Sequence, residues 1–256
     1  MFEQDRSAAV VGVAGGAGAT RLTVELATTL ARDGRDVAVF DAAFATQGLS
    51  QYVHGRIDAD LTRLLTDEDV TPEGAMVDLR VDTPGDVSVC PTYAPFERIA
   101  RAKSGEAAER FGQEIRDATV AYDHVLVDTP PVADNPSIAA VNATDNVACV
   151  VPSSKRGVDT LARVRDRLAD VGVEPHRVVV NRTAGPTDPG STPVESADVA
   201  VPESEVREVA GAPVCVDGAT GPFARQLATT AEAVFDTQLD VTFPKGGLRT
   251  RLSSRF

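Results

Sequence analysis

The chain has 256 residues, 43% of them hydrophobic, enough for one large domain with a substantial core. Its formal charge is −13, from 38 acidic and 25 basic residues, which argues against DNA binding because that needs a basic footprint. No apolar run is long enough to span a bilayer, and the acidic opening MFEQDRS is not a secretory signal, so a cytoplasmic protein is expected.

An apolar run, Ala8 to Val13, meets a cluster of glycines, Gly12, Gly15, Gly16 and Gly18. Leu22, Leu26 and Leu30 then mark one face of a helix ending near Asp33, with Gly34 as a C-terminal cap. Val37 to Phe40 reads as a second strand, ending at Asp41. This βαβ unit predicts a parallel sheet with ligands beyond the carboxyl ends of its strands.

Residues 42–86 are less regular, with a short helix expected over Asp58 to Leu65, capped by Asp58, among acidic turns. Val87 to Cys90 is a strand stopped by Pro91. An amphipathic helix fills much of 96–121, with Ile99, Phe111, Ile115 and Ala118 inward and a break near Ser104-Gly105. The segment YDHVLVDTPP is an apolar strand that ends in Asp128 and is stopped by two prolines.

Helix (Ser137 to Asn142), strand (Val147 to Val151), helix (Gly157 to Val171) and strand (Val178 to Val180) follow, the last ending in Asn181-Arg182. Residues 183–196 form a Gly, Pro, Ser and Thr-rich loop. A short strand from Val199 to Val201, ending at Pro202, a helix over Glu203 to Ala210, an edge strand at Val214 to Val216 and a helix over Pro222 to Leu239 complete the pattern. The expected fold is α/β, a mostly parallel sheet with helices on both faces, formed by residues 1–242 as one domain.

Residues 243–256 are a separate tail with four basic and no acidic side chains. Leu248, Leu252 and Phe256 share one helical face, beside Arg249, Arg251 and Arg255, as in a helix that lies on a membrane. Cys90, Cys149 and Cys215 sit in separate apolar runs without metal-ligand spacing and read as buried structural thiols. The chain has only three lysines, Lys103, Lys155 and Lys245, and many acids, a composition resembling proteins of salt-loving organisms such as haloarchaea.

The glycine loop carries the chemistry. A phosphate-binding loop, GxxxxGK[ST], cradles phosphates with its amides, reaches them with its lysine and binds Mg²⁺ through its hydroxyl. Here Gly15, Gly16, Ala17, Gly18 and Thr20 fit, but Ala19 stands at the lysine position. Gly12, Gly16 and Gly18 also fit a dinucleotide loop, with Asp41 placed to hold a ribose, which would suit an oxidoreductase of the short-chain type. No YxxxK pair follows Tyr52, Tyr93 or Tyr122 to supply the acid–base dyad of such an enzyme.

YDHVLVDTPP resembles the Walker B strand of the ParA/MinD family of deviant P-loop ATPases. In order along the chain, VAGGAGATR resembles the family's KGGxGKT[TS] loop and DVAVFDAAFATQGLS its second strand and switch segment. TDNVACVVPSSKRGVDTL, VVVNR and VPESEVREVAGAPV resemble its later strand and adenine-side segments, so the resemblance spans about residues 8 to 238.

The resemblance implies a P-loop fold binding ATP or ADP with Mg²⁺. Thr20 and Asp128 would serve as metal-site residues, Asp41 and Asp128 as the catalytic acids, and Asn181, Arg182 and Pro202 as flanks of the adenine. It also implies a nucleotide-dependent homodimer or protein partner, a role in positioning or partitioning cargo, and a membrane-targeting tail at the inner membrane face.

The departures fall at Ala14 and Ala19, where the family has its two loop lysines, at Ala43, where it has the second acid of DxD, and at Arg21. Losing one preorganised charge-stabilising group commonly costs about 3 kcal/mol of barrier lowering. Weak or absent hydrolysis is therefore expected, unless Arg21 swings from the first helical turn to the phosphates rather than to solvent. The alternative is a pseudo-ATPase scaffold that binds no nucleotide.

Overall fold

The computed structural model describes residues 5–184 and 188–243. In chain order its elements begin β1 (Ser7–Gly12), α1 (Ala19–Arg32), β2 (Val37–Asp41), α2 (Leu61–Thr66), α3 (Pro72–Ala75), β3 (Val77–Asp78) and β4 (Val87–Cys90). They continue α4 (Phe96–Ala102), α5 (Gly105–Ala121), β5 (His124–Thr129), α6 (Asn135–Ala143), β6 (Asn146–Pro152), α7 (Lys155–Asp170), β7 (Arg177–Thr183), β8 (Val199–Pro202) and α8 (Pro222–Phe235).

The strands form one sheet in the order β3-β4-β2-β5-β1-β6-β7-β8. Every pairing is parallel except β3 against β4. β1 and β5 are buried along their whole length, which is why they read as nearly unbroken apolar runs. Ala8, Val10, Val39, Leu126 and Val150 on one face pack under α1 and α8. On the other face, Phe40 and Val127 pack with α2, α4 and α5, and Val11, Cys149 and Val180 with α7. The layers are helix, sheet, helix, as expected.

α1 is buried almost all round. Its three buried threonines stay satisfied by bonding back along the helix: Thr23 donates to the Ala19 carbonyl (3.0 Å), Thr28 to Val24 (2.9 Å) and Thr29 to Glu25 (2.7 Å). The three cysteines are buried and free, and burial pushes their thiols up, as structural thiols require.

Several expectations are corrected. α2 starts at Leu61, capped by Asp60 rather than Asp58; the Asp60 carboxylate also accepts from Tyr93 N at 2.8 Å. The long helix over 96–121 is two helices, restarted by the Ser104 cap at the expected break. Strand β3 was not expected among the acidic turns. No helix spans 203–210, only a 3-10 turn at Val209–Gly211, and 214–216 is not a strand. The last helix stops at Phe235, where Asp236 takes the left-handed conformation (φ 43°).

Beyond it the chain returns along the end of α1. Arg35 Nη2 donates to the Gln238 carbonyl (3.2 Å) and Arg32 Nη2 to that of Thr242 (2.7 Å). The Phe243 ring lies between the guanidinium groups of Arg32 and Arg225, at 4.9 and 4.8 Å. The basic amphipathic stretch expected from residue 244 onward lies outside the described residues. Among the described residues, no helix is long and apolar enough to cross a membrane.

Candidate functional site

The carboxyl ends of β1, β2, β5 and β7 converge around the glycine loop. Val13 N donates to the Val150 carbonyl (3.1 Å) and Ala17 N to that of Ala14 (3.1 Å), turning the chain from β1 toward α1. Gly16 and Gly18 take left-handed backbone angles (φ 79° and 86°), which glycine adopts without strain. Among the described residues, the amides of Gly16, Gly18, Ala19, Thr20 and Arg21 have no hydrogen-bond partner. α1 has no side-chain cap and no acid in its first turn. The result is a row of donors at the positive end of a helix, a ready seat for phosphate.

The loop is clasped from β7. Asn181 Nδ2 donates to the Ala17 carbonyl at 3.0 Å and Arg182 Nη1 to that of Gly16 at 3.1 Å. The pairing of β7 with β8 slips between Asn181 and Thr183, and Arg182 takes the left-handed conformation there (φ 59°). A Cβ on Gly18 would stand 2.6 Å from Asn181 Nδ2, so the clasp depends on this glycine. Asn181 and Arg182 were expected as adenine flanks; in the structure both hold the loop, and both also line the cleft described below.

On the other side of β1 lie two buried acids. Asp41 and Asp128 are register partners of β2 and β5. The Asp41 carboxylate accepts from the amides of Ala43 (2.9 Å), Leu49 (3.3 Å) and Thr92 (3.4 Å). The Thr20 side chain lies beside the Asp128 carboxyl and tempers its upward shift, while among the described residues Asp128 Oδ2 is buried with no partner. Burial pushes both carboxyls above the ordinary range; the neighbouring Asp41 adds to the upward push on Asp128, whereas three amides restrain Asp41.

Thr20 also supports the segment after β2, since a Cβ on Gly48 would lie 3.2 Å from Thr20 Oγ1. The side chain of Gln47 clamps that segment to the exit of β4: its Nε2 donates to the Ala94 carbonyl (3.0 Å) and its Oε1 accepts from Ala94 N (3.1 Å).

An orphaned carboxylate oxygen beside a hydroxyl is the donor chemistry of a hard divalent cation. Among the described residues, no group of three or more His, Cys, Asp or Glu side chains could hold a metal ion. Mg²⁺ would therefore need ligand oxygens and water besides Thr20 and Asp128, as it does when bound with a phosphate.

Arg21 takes neither expected direction. Its Nε pairs with Glu25 Oε1 at 2.7 Å one helical turn on. Glu25 is fully buried and also accepts from the amides of Val214 and Cys215, each at 3.0 Å. Arg21, Arg182 and Leu22 line a cleft of about 370 Å³ whose far wall is Glu203, Val206 and Phe223. Pro202, the third expected adenine flank, lines an adjoining hollow of about 710 Å³ with Thr183 and Phe223. Glu25 and Gln47 were not singled out from the sequence; nothing in an amphipathic helix or a polar turn distinguishes them.

A family model, the CobQ/CobB/MinD/ParA nucleotide binding domain, matches residues 8–196. Among solved structures, the septum site-determining protein MinD from Pyrococcus horikoshii, complexed with Mg-ADP, aligns with a TM-score of 0.73 at 21% identity, covering 90% of this chain and 95% of that one. A ParA family ATPase from Chlorobium tepidum aligns at 0.72 with 17% identity, covering 89% and 98%. MinD in the MinC:MinD cell division complex of Aquifex aeolicus aligns at 0.72 with 21% identity, covering 93% and 98%. No curated protein matches in sequence.

Proposed function

Since the chain belongs to the CobQ/CobB/MinD/ParA nucleotide-binding family, we propose that it binds an adenine nucleotide with Mg²⁺ and acts in positioning or partitioning cellular cargo, with slow or absent hydrolysis. The observation that carries this reading is the set of unpartnered amides at Gly16 and from Gly18 to Arg21, beside Asp128 with its orphaned Oδ2. The amides of Gly16 and of residues 18–21 bind the phosphates. Thr20 and Asp128 hold Mg²⁺, which when bound offsets phosphate charge. The cleft by Leu22 and Phe223 takes the base.

Slow hydrolysis follows from what the chain supplies at the far end of this cradle. Ala14, Ala19 and Ala43 offer methyl groups where charge stabilisation or water placement would be needed. Asp41 spends its carboxylate on three amides, which makes it an anchor for the segment from Ala43 to Leu49 rather than a free base.

The positioning role rests on the likeness to MinD and ParA proteins, one of them from a complex of MinC with MinD. A nucleotide-dependent dimer or partner protein fits that role, and the basic tail would add a membrane contact. Co-sedimentation with anionic vesicles, full chain against a chain ending at Thr242, tests the tail; equal pelleting would refute it.

The central test is a titration of a fluorescent ATP analogue with and without Mg²⁺, with phosphate release followed on the same sample at high salt. Mg²⁺-dependent binding with little turnover is expected. Turnover abolished by Asp128→Ala would make the protein a working ATPase, and no binding at all would leave a scaffold.

A further inference from the structure

The chain does not leave the body where α8 ends. Residues 236–243 run back as a strap, held at several points. Arg35 Nη2 donates to the Gln238 carbonyl, Asp240 N to Asp33 Oδ1 (2.6 Å) and Arg32 Nη2 to the Thr242 carbonyl. Leu239 and Phe243 pack against the core cluster under α1 and α8. The strap brings the Phe243 ring to 4.8 Å from the Arg225 guanidinium. Arg225 belongs to the first turn of α8, where its amide donates to the Gly221 carbonyl at 3.2 Å.

That same turn walls the hollow of about 710 Å³. Pro222, Phe223 and Ala224 line it, together with Val206, Val214 and Ala219. Its charged lining residues are two acids, Glu203 and Glu205, and no cation lines it among the described residues. Glu203 does pair with Arg207 at 3.1 Å, but the two side chains are 48% and 76% exposed, so the pair is easily exchanged for another.

Apolar walls with acidic side chains suit an occupant that is apolar and basic. Residues 244–256 have that composition: Leu248, Leu252 and Phe256 with Lys245, Arg249, Arg251 and Arg255, and no acid. They begin one arginine side chain away from the turn that lines the hollow. Fully extended they would reach about 40 Å, so length does not limit docking. A tethered segment also needs little intrinsic affinity, because a short tether holds it at about millimolar effective concentration.

We propose that this hollow is the seat of the chain's own basic C-terminal stretch, which docks there in cis. Glu203, Ser204, Val206 and Phe223 wall both the hollow and the neighbouring cleft. A seated tail therefore touches the walls of the cleft, and its apolar side chains are withheld from a membrane. The proposal stands whether or not the cleft takes a nucleotide.

The test is brief trypsin digestion of the full-length chain. Cuts after Lys245 and Arg249 are followed by mass spectrometry, against a free peptide of residues 244–256. Cleavage should be at least about tenfold slower in the chain than in the peptide, since it tracks the undocked population. Ala219→Trp, which fills the hollow without changing charge, and the pair Glu203→Lys with Glu205→Lys should each speed it about tenfold. So should Leu248→Ser, Leu252→Ser and Phe256→Ser together, which keep every cation and leave the folded body untouched. Cleavage as fast as in the free peptide would overturn the proposal, as would protection that Ala219→Trp or the triple serine variant leaves unmoved. Relief by the charge reversal alone would reduce the contact to surface attraction and overturn it as well. Protection that rises with chain concentration would put a second copy's tail in the hollow and overturn the cis seat.

Discussion

Asn181 Nδ2 donates to the Ala17 carbonyl at 3.0 Å, and the same nitrogen occupies the space a Cβ on Gly18 would need. One amide at the end of β7 thus fixes the shape of a loop more than 160 residues earlier. Asn181→Ala should destabilise the protein by about 1–2 kcal/mol in urea unfolding, because it leaves a carbonyl unpaired in the loop. Gly18→Ala should do similar damage, since it adds a strained backbone angle to the clash. Both should weaken nucleotide binding about tenfold. Unchanged affinity in Gly18→Ala would mean the clasp does not shape the site.

The buried pair Asp41 and Asp128 makes stability depend on pH and on metal. Both carboxyls are raised in the folded protein, so the unfolded chain releases protons at lower pH. Without Mg²⁺, stability should be fully present below about pH 4 as far as this pair is concerned, and should fall as pH rises through the raised range toward neutrality. Asp128→Asn should remove most of that fall and make the metal-free protein more stable than wild type at pH 8. With nucleotide present, Mg²⁺ should raise the wild-type melting temperature at pH 8 and leave Asp128→Asn unmoved.

His124 acts in the opposite direction. Burial, and the Arg35 guanidinium 2.8 Å from its Nε2, push its pKa down to about 4, and its ring packs on Phe235. The folded protein keeps this ring neutral while the unfolded chain protonates it. Its contribution is fully present above pH 6.5, the ordinary histidine value, and is lost as pH falls toward 4. The loss should amount to about 2–3 kcal/mol, read as a steeper decline in urea midpoint than in His124→Gln.

Glu25 is the buried acid on which α1, Arg21 and the 214–215 segment meet. Glu25→Ala would strand an arginine and two amides and should cost about 3–5 kcal/mol. Glu25→Gln keeps an acceptor for the amides and should cost less. Hydrogen exchange at Val214 and Cys215 should speed up sharply in the alanine variant; protection as in wild type would show that the segment is held by other contacts.

The sheet apart from β3 was legible because its other strands are largely buried and bounded by Gly, Pro and polar residues, whereas β3 is two partly exposed residues. Val37 to Asp41, Val87 to Cys90 and the strand ending at Asp128 needed only their apolar runs. The chain after β8 was not legible. Val206 and Val209 are spaced as on a helix, but they line a cleft wall and never close a helix. Val214 to Val216 has strand-like residues, yet the amides of Val214 and Cys215 are taken by Glu25, so no ladder forms. In the site, the loop and both acids could be located from spacing. That Asn181 braces the loop could not, because a polar residue at a strand end serves a ligand or a neighbouring carbonyl equally well.

The double hydrogen bond between the Gln47 side chain and Ala94 has an optical use. It ties the segment that covers Thr20 to the start of α4, where Phe96 is 84% exposed. The sequence contains no tryptophan, so Phe96→Trp would introduce a single indole that can be excited apart from the three tyrosines. Any rearrangement of residues 43–49 around a bound phosphate would be relayed through that stitch to a fluorophore standing in water, and its emission would shift with occupancy of a site it never touches.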